Sequence, residues 1–263
     1  MKPILIIAAM PIETALLESA LSESSGVKSG GFEYLEGKIG KLKIIVCAGG
    51  VGKINAAAAT SALLEKYHPQ LVINSGCAGA YIGSGLSIGD LAIASEEILA
   101  DEGVIVKSGW KNLNDMALPA LDLGGEQYFN TLPLSQKAVE KALLLADNLG
   151  LKLMRGRFAT VSTCSGTEQR GEELASRWNV IAENMEGGAV ALVCLRYGID
   201  CLEIRGISNM VEARNMKKWE LALAVEAAQK FVLRYLEEID VSLEQPLKSK
   251  TIRACPTLST HYC

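Results

Sequence analysis

Two histidines in 263 residues, His68 and His261, and no cysteine pair spaced C-x-x-C leave no ligand set for a zinc site. The seven cysteines are Cys47, Cys77, Cys164, Cys194, Cys201, Cys255 and Cys263. They are odd in number and irregularly spaced, and the first five lie in apolar runs, where a free thiol packs as a small hydrophobe. That usage points to a reducing cytoplasm. No Lys/Arg cluster interrupts a chain of net charge -4, so no electrostatic footprint for nucleic acid or an anionic membrane exists. No apolar run reaches the roughly 18 residues of a membrane span. The apolar stretch at residues 1–9 is too short for a signal peptide and reads as a first strand. A phosphate loop of the G-x-x-x-x-G-K-[ST] type is missing. Gly50-Val51-Gly52-Lys53-Ile54-Asn55 sets Asn where a dinucleotide loop needs its third glycine. An NAD or ATP enzyme is thereby disfavoured, and no cofactor is implied.

What is present is an alternation of strand and helix signals. Apolar residues make up 49% and charged residues 21%, an ordinary globular balance. Strands are expected at residues 4–9, 42–48, 71–74, 91–94, 96–99, 158–163 and 201–207. Helical spacing covers 12–21, 53–67, 135–149, 187–197 and 219–239, with Ser135 as an N-cap and Gly198 as a stop. This order predicts a three-layer α/β/α sandwich around a twisted, mixed, mainly parallel sheet. One domain is expected over 1–240, with a polar tail of unassigned role at 241–263.

Ligands of such sheets gather at the carboxyl ends of strands. Gly49-Gly50-Val51-Gly52 and Ser75-Gly76-Cys77-Ala78-Gly79-Ala80 follow two strands there, as glycine loops or as plain turns. Three polar segments accompany them. Glu13 stands just past the first strand, Met185-Glu186 opens a helix, and Ser208-Asn209 closes a strand. Taken alone, each carboxylate is also readable as a helix N-terminal residue favoured by the dipole, and Asn209 as a turn cap.

In this order the segments resemble the purine nucleoside phosphorylase and nucleosidase superfamily. The hydrolase branch of that family includes 5′-methylthioadenosine/S-adenosylhomocysteine nucleosidases. Within it the likeness narrows to the futalosine hydrolases of menaquinone biosynthesis. The narrower likeness rests on Gly76 to Tyr81, Tyr128 to Leu134, Thr160 to Thr167, and Arg205 to Asn209 followed by Arg214 and Trp219. It implies Glu13 as the base that activates water, Glu186 as the holder of the ribose hydroxyls, and Met185 as packing on the ribose. Cys77, Ala78, Gly79, Thr163, Cys164, Ser165 and Ser208 would line the substrate pocket. The implied partner is a small purine nucleoside, with water as nucleophile, in a cytoplasmic homodimer or larger homo-oligomer. The aromatic-containing segment from Trp110 to Phe129 is a candidate for closing a neighbour's pocket.

Phosphorylases of the superfamily hold phosphate with arginines near the first strand; Pro11-Ile12-Glu13 offers a carboxylate instead, which suits water. Adenosine-type nucleosidases carry Asp where Asn209 stands. An amide can donate to N7 and O6 of a 6-oxopurine, but it is no acid. Departure of the base would then rest on hydrogen bonds to a developing anion. Two alternatives remain: an adenosine-type nucleosidase acting on methylthioadenosine, S-adenosylhomocysteine or aminodeoxyfutalosine, and a non-catalytic purine-nucleoside-binding protein. Tyr81, Trp110, Tyr128 and Phe129 are open between sugar cover and core. Lys53, Lys107, Lys111 and Arg214 are unranked candidates for a carboxylate on the 5′ substituent.

Overall fold

A computed structural model describes residues 2–244, with side chains described through residue 240. The tail at 241–263, with Cys255 and Cys263, therefore lies outside the described side chains. The strands are β1 (Ile4–Ala8), β2 (Ser22–Ser29), β3 (Phe32–Ile39), β4 (Leu42–Ala48), β5 (Leu71–Tyr81), β6 (Leu91–Leu99), β7 (Gly103–Val106), β8 (Gly109–Asn112), β9 (Leu121–Leu123), β10 (Glu126–Tyr128), β11 (Thr131–Pro133), β12 (Leu153–Thr160), β13 (Val180–Asn184) and β14 (Cys201–Val211). The helices are α1 (Ala15–Ser19), α2 (Lys53–Tyr67), α3 (Gln136–Asn148), α4 (Glu168–Trp178), α5 (Gly187–Tyr197) and α6 (Leu221–Glu244).

The main sheet runs β11-β6-β12-β13-β5-β1-β4-β3-β2, and β14 pairs with both β5 and β6. That second pairing closes β5, β13, β12, β6 and β14 into a ring at one end of an otherwise open sheet. The ladders β4–β1–β5–β14 and β6–β12–β13 are parallel. Helices α2 and α5 cover one face through Ala59, Leu63, Val190 and Cys194. Helices α1, α3 and α6 cover the other through Leu17, Val139, Phe231 and Leu236. The expected three layers are present.

Several expected elements change in extent. The helix expected at 12–21 is a 3-10 turn, Pro11–Glu13, followed by the short α1. The two strands expected between 91 and 99 are one, β6, and the strand expected at 158–163 runs from Leu153 to Thr160. The stretch expected to be a glycine loop at Ser75–Ala80 is the second half of β5. Likewise β14 passes through Ser208-Asn209 to Val211. Glycine inside a strand marks close approach of another group. An added Cβ at Gly76 would stand 2.5 Å from a Glu13 oxygen, and one at Gly79 would stand 3.1 Å from the Asn209 amide nitrogen.

β5 changes partner along its length. It pairs with β1 over Leu71–Asn74 and with β13 at Gly79 and Ala80. Between these ladders Ser75, Gly76 and Cys77 lose one sheet neighbour while β14 continues on the other side. This divergence is the topological switch point at which a doubly wound sheet opens a crevice.

Candidate active site

The first functional side chain is placed by the turn after β1. Pro11 fixes its own φ at the start of the 3-10 turn, and Glu13 ends it. The Glu13 carboxylate folds back to accept N–H bonds from Ala9 at 3.0 Å and Met10 at 2.9 Å, both on Oε2. Its Oε1 accepts from Cys77 N at 2.9 Å, the amide that the divergence of β5 frees. The side chain is 1% exposed. A carboxylate has about four acceptor positions, so Oε1 retains capacity for one further proton donor.

Across the crevice, Glu186 precedes α5. Its Oε1 accepts from Gly52 N at 2.8 Å, so the glycine turn before α2 serves this carboxylate. Asn184 Oδ1 accepts from Glu186 N at 2.9 Å and Gly187 N at 2.6 Å and thus caps the start of α5. Burial raises the Glu186 carboxyl above its usual range, and Arg205 works against that rise. Arg205 is itself 1% exposed. Its Nε donates to Glu203 at 2.8 Å, one Nη lies 3.7 Å from Glu186, and it also donates to Cys77 O at 3.3 Å. Burial alone would depress its guanidinium, but Glu203, Glu186 and Glu13 more than offset that and raise it.

Beneath these lies a buried carboxyl pair. Glu97 accepts from Thr160 Oγ1 at 2.5 Å and from Asn184 Nδ2 at 2.8 Å. Burial, then the neighbouring Glu203, raises Glu97 well above the carboxylate range. A Cβ at Gly187 would stand 2.3 Å from oxygens of both acids, so only glycine fits above them.

Asn209 is oriented by two partners. Ser208 Oγ donates to its Oδ1 at 2.8 Å, and its Nδ2 donates to Met210 O at 3.1 Å. One amide proton is thus taken, and one is left for a ligand. Beside it, Glu183 accepts from Ser165 N at 2.9 Å and from Tyr81 Oη at 3.0 Å.

Glu13, Glu183, Asn184, Glu186, Ser208 and Asn209 line a cavity of about 180 Å³, with Arg205 and the Glu97–Glu203 pair behind its wall. Ala9, Met10, Val51, Arg214 and Trp219 complete much of its wall. A larger cleft of about 730 Å³ lies beside Leu149 and Phe231. Its cations Lys152, Lys230 and Arg234 already pair with Asp90, Glu226 and Glu237. The smaller cavity is the one that collects buried ionisable groups, as functional sites do.

Residues 3–237 match the family model of the phosphorylase superfamily. The chain belongs to that superfamily. Within the phosphorylase superfamily, a futalosine hydrolase of Thermus thermophilus is 37% identical over 213 residues, covering 81% of this chain and 84% of the relative. A 5′-methylthioadenosine/S-adenosylhomocysteine nucleosidase of Geobacillus thermodenitrificans is 29% identical, over 91% of this chain and 98% of its own. Helicobacter pylori futalosine hydrolase superposes with a TM-score of 0.79 at 24% identity, over 90% of this chain and 100% of its own, a likeness of fold.

Of the expected site residues, Glu13, Cys77, Ala78, Gly79, Cys164, Ser165, Met185, Glu186, Ser208 and Asn209 border the cavity; Thr163 is exposed and does not. Burial pushes the Cys77 thiol up to about 12, with Glu13 adding to the rise, and burial also raises Cys164, so neither is a ready nucleophile. Among the cations, Arg214 borders the cavity, stacked 5.0 Å over Trp219. Lys53 is paired with Asp101 and Glu102, and Lys107 and Lys111 are exposed on the β7–β8 hairpin. Tyr81, Trp110, Tyr128 and Phe129 do not border it, whereas Trp219 does. Sequence reasoning missed Glu183 and the burial of Arg205; charged residues inside apolar strand sequence were the available signal.

Proposed function

We propose that this protein hydrolyses the N-ribosyl bond of futalosine, releasing hypoxanthine and dehypoxanthine futalosine, as a cytoplasmic enzyme of menaquinone biosynthesis. The observation that carries the reading is the pair of buried carboxylates, Glu13 and Glu186, facing one cavity with Arg205 locked behind them. The name of the 37% identical relative supports the same substrate.

Glycoside cleavage passes through an oxocarbenium-like sugar. Glu13 takes a proton from water through the acceptor capacity left on Oε1, and the water oxygen bonds to C1′. The C1′–N9 electron pair leaves with the base. Glu186 accepts from the ribose hydroxyls, and its charge favours the cationic sugar. The free proton of Asn209 Nδ2 bonds to N7 of the departing base, which solvent then protonates. Met185 packs on the ribose. Arg214, held by Trp219, meets the carboxylate of the 5′ substituent. Arg205 is engaged by Glu203, Cys77 O and Glu186 and does not border the cavity, which favours water over phosphate as nucleophile.

A homodimer or larger assembly is part of the proposal. Ile54 on α2 is 86% exposed and Ile105 on the β7–β8 hairpin is 81% exposed, an arrangement that suits a partner subunit.

The test is incubation with futalosine, inosine and methylthioadenosine, with and without phosphate, followed by chromatography of the free base. Phosphate-independent release of hypoxanthine from futalosine is expected. Preferential adenine release, or a phosphate requirement, overturns the reading.

A further inference from the structure

The Asn209 amide cannot by itself separate a 6-oxopurine from adenine here. Met210 O holds one of its protons, and the other suits the N7 of either base. A second group must then read the base. The two purines differ at N1: hypoxanthine carries a proton there and adenine a lone pair.

We propose that Glu183 reads N1, accepting the proton that a 6-oxopurine carries and facing adenine's lone pair with negative charge. This rests on the nucleosidase reading of the cavity and deepens it. The placement comes from strand register. Gly79 on β5 pairs with Asn209 on β14 and with Glu183 on β13. Residues in register project from one face of a sheet, so Glu183 and Asn209 stand on the same side with Gly79 between them. Two strand spacings separate their Cα atoms, about 10 Å. Gly79 contributes no side chain, and a Cβ there would already stand 3.1 Å from the Asn209 amide nitrogen and from Val211; the base is received by the cavity that Gly79, Glu183 and Asn209 all border.

The Glu183 side chain is set for this task. It is 7% exposed and borders the cavity. Ser165 N and Tyr81 Oη each donate to one of its oxygens and fix the plane of the carboxylate. These two bonds use about half of its acceptor positions. Burial raises the carboxyl, and Ser165, Tyr81 and Arg170 oppose the rise. A buried carboxylate lined up on a ligand cavity with acceptor positions open needs a donor to complete it. An N1–H supplies one, and adenine leaves it unmet.

Hydrogen bonds to charged groups correspond to about 10- to 150-fold in affinity. The experiment measures calorimetric binding of free hypoxanthine and free adenine to wild type, Glu183→Gln and Glu183→Ala. Wild type is expected to prefer hypoxanthine. Glu183→Gln keeps the shape but can turn an N–H toward adenine N1, so the preference should shrink at least ~10-fold. A purely structural role would weaken both bases alike; an unchanged hypoxanthine-to-adenine ratio in Glu183→Gln overturns the proposal. A wild-type measurement stands if the variants do not fold. 1-Methylhypoxanthine has no proton at N1, and binding as tight as that of hypoxanthine overturns the proposal. Futalosine cleavage by the wild type is scored separately: its absence refutes the nucleosidase reading, whereas cleavage with an unmoved base ratio refutes the role of Glu183 alone.

Discussion

Gly76 and Glu13 are fitted to each other: a Cβ on the glycine would lie 2.5 Å from Glu13 Oε1 and 2.8 Å from an Arg205 Nη. The strand that holds the crevice open therefore carries no side chain where base and guanidinium converge. Gly76→Ala is expected to displace the Glu13 carboxylate and lower kcat by about 100-fold or more, because general-base catalysis depends on hydrogen-bond reach. Overpacking should cost roughly 1–3 kcal/mol of stability. Steady-state kinetics on futalosine with a parallel urea titration checks both; unchanged kcat would mean that Glu13 does not act from this position.

Glu13→Gln separates charge from shape. Loss of a general base lowers kcat by about 10²- to 10⁴-fold, with a smaller change in KM. The amide cannot accept on both sides, however. Ala9, Met10 and Cys77 all present N–H groups to the carboxylate, so one of them must face an NH₂ group. That mismatch is expected to cost about 1–3 kcal/mol. Kinetics must therefore be run well below the melting transition, and retained kcat there refutes Glu13 as the base.

How much of this was legible beforehand depended on where each side chain sits in its element. Glu13 and Glu186 follow strand ends, where polar residues after apolar runs are conspicuous. Glu183 lies inside β13, five residues long, which the sequence pattern did not separate from the charged helix α4 before it. Arg205 and Glu203 alternate with apolar residues along β14, a pattern that predicts one solvated face. Here that face turns inward because β14 closes the ring between β5 and β6, and Arg205 Nε pairs with one Glu203 oxygen there. The hairpin β2–β3 was hidden for the opposite reason. Ser22–Ser29 is a polar edge strand with little to bury, so it carries no hydrophobic signature. Periodicity reports burial against helices; it does not report ring closure or a solvated edge.

Asn209→Asp tests leaving-group activation. Ser208 can still donate to the retained oxygen, but the new oxygen faces Met210 O, where the amide had donated. Two acceptors in contact favour the protonated acid, which restores the donor. The variant is expected to lose hypoxanthine release by roughly 10- to 100-fold, the loss of about one good base contact. Adenine release from methylthioadenosine should rise only weakly while Glu183 is present, and further in the Asn209→Asp/Glu183→Gln double variant. Chromatography of both bases across the four proteins checks this; full adenosine-type activity in Asn209→Asp alone would show that Glu183 does not discriminate.

The last prediction concerns pH and the buried pair Glu97–Glu203. Glu97 is raised well above 4.5, first by burial and then by its acidic neighbour. A carboxyl whose folded value is raised binds its proton more tightly when folded. Its stabilising contribution is therefore complete below the unfolded value near 4.5, and is lost as pH climbs toward the folded value. The loss approaches about 1.4 kcal/mol per pH unit while one proton is released on unfolding. Glu97→Gln has no proton to exchange, so the difference in unfolding free energy between wild type and variant should move in the variant's favour as pH rises from 4.5. Urea denaturation at steps between pH 4.5 and 8 measures that difference. A flat difference would mean that Glu97 is ionised in the folded protein.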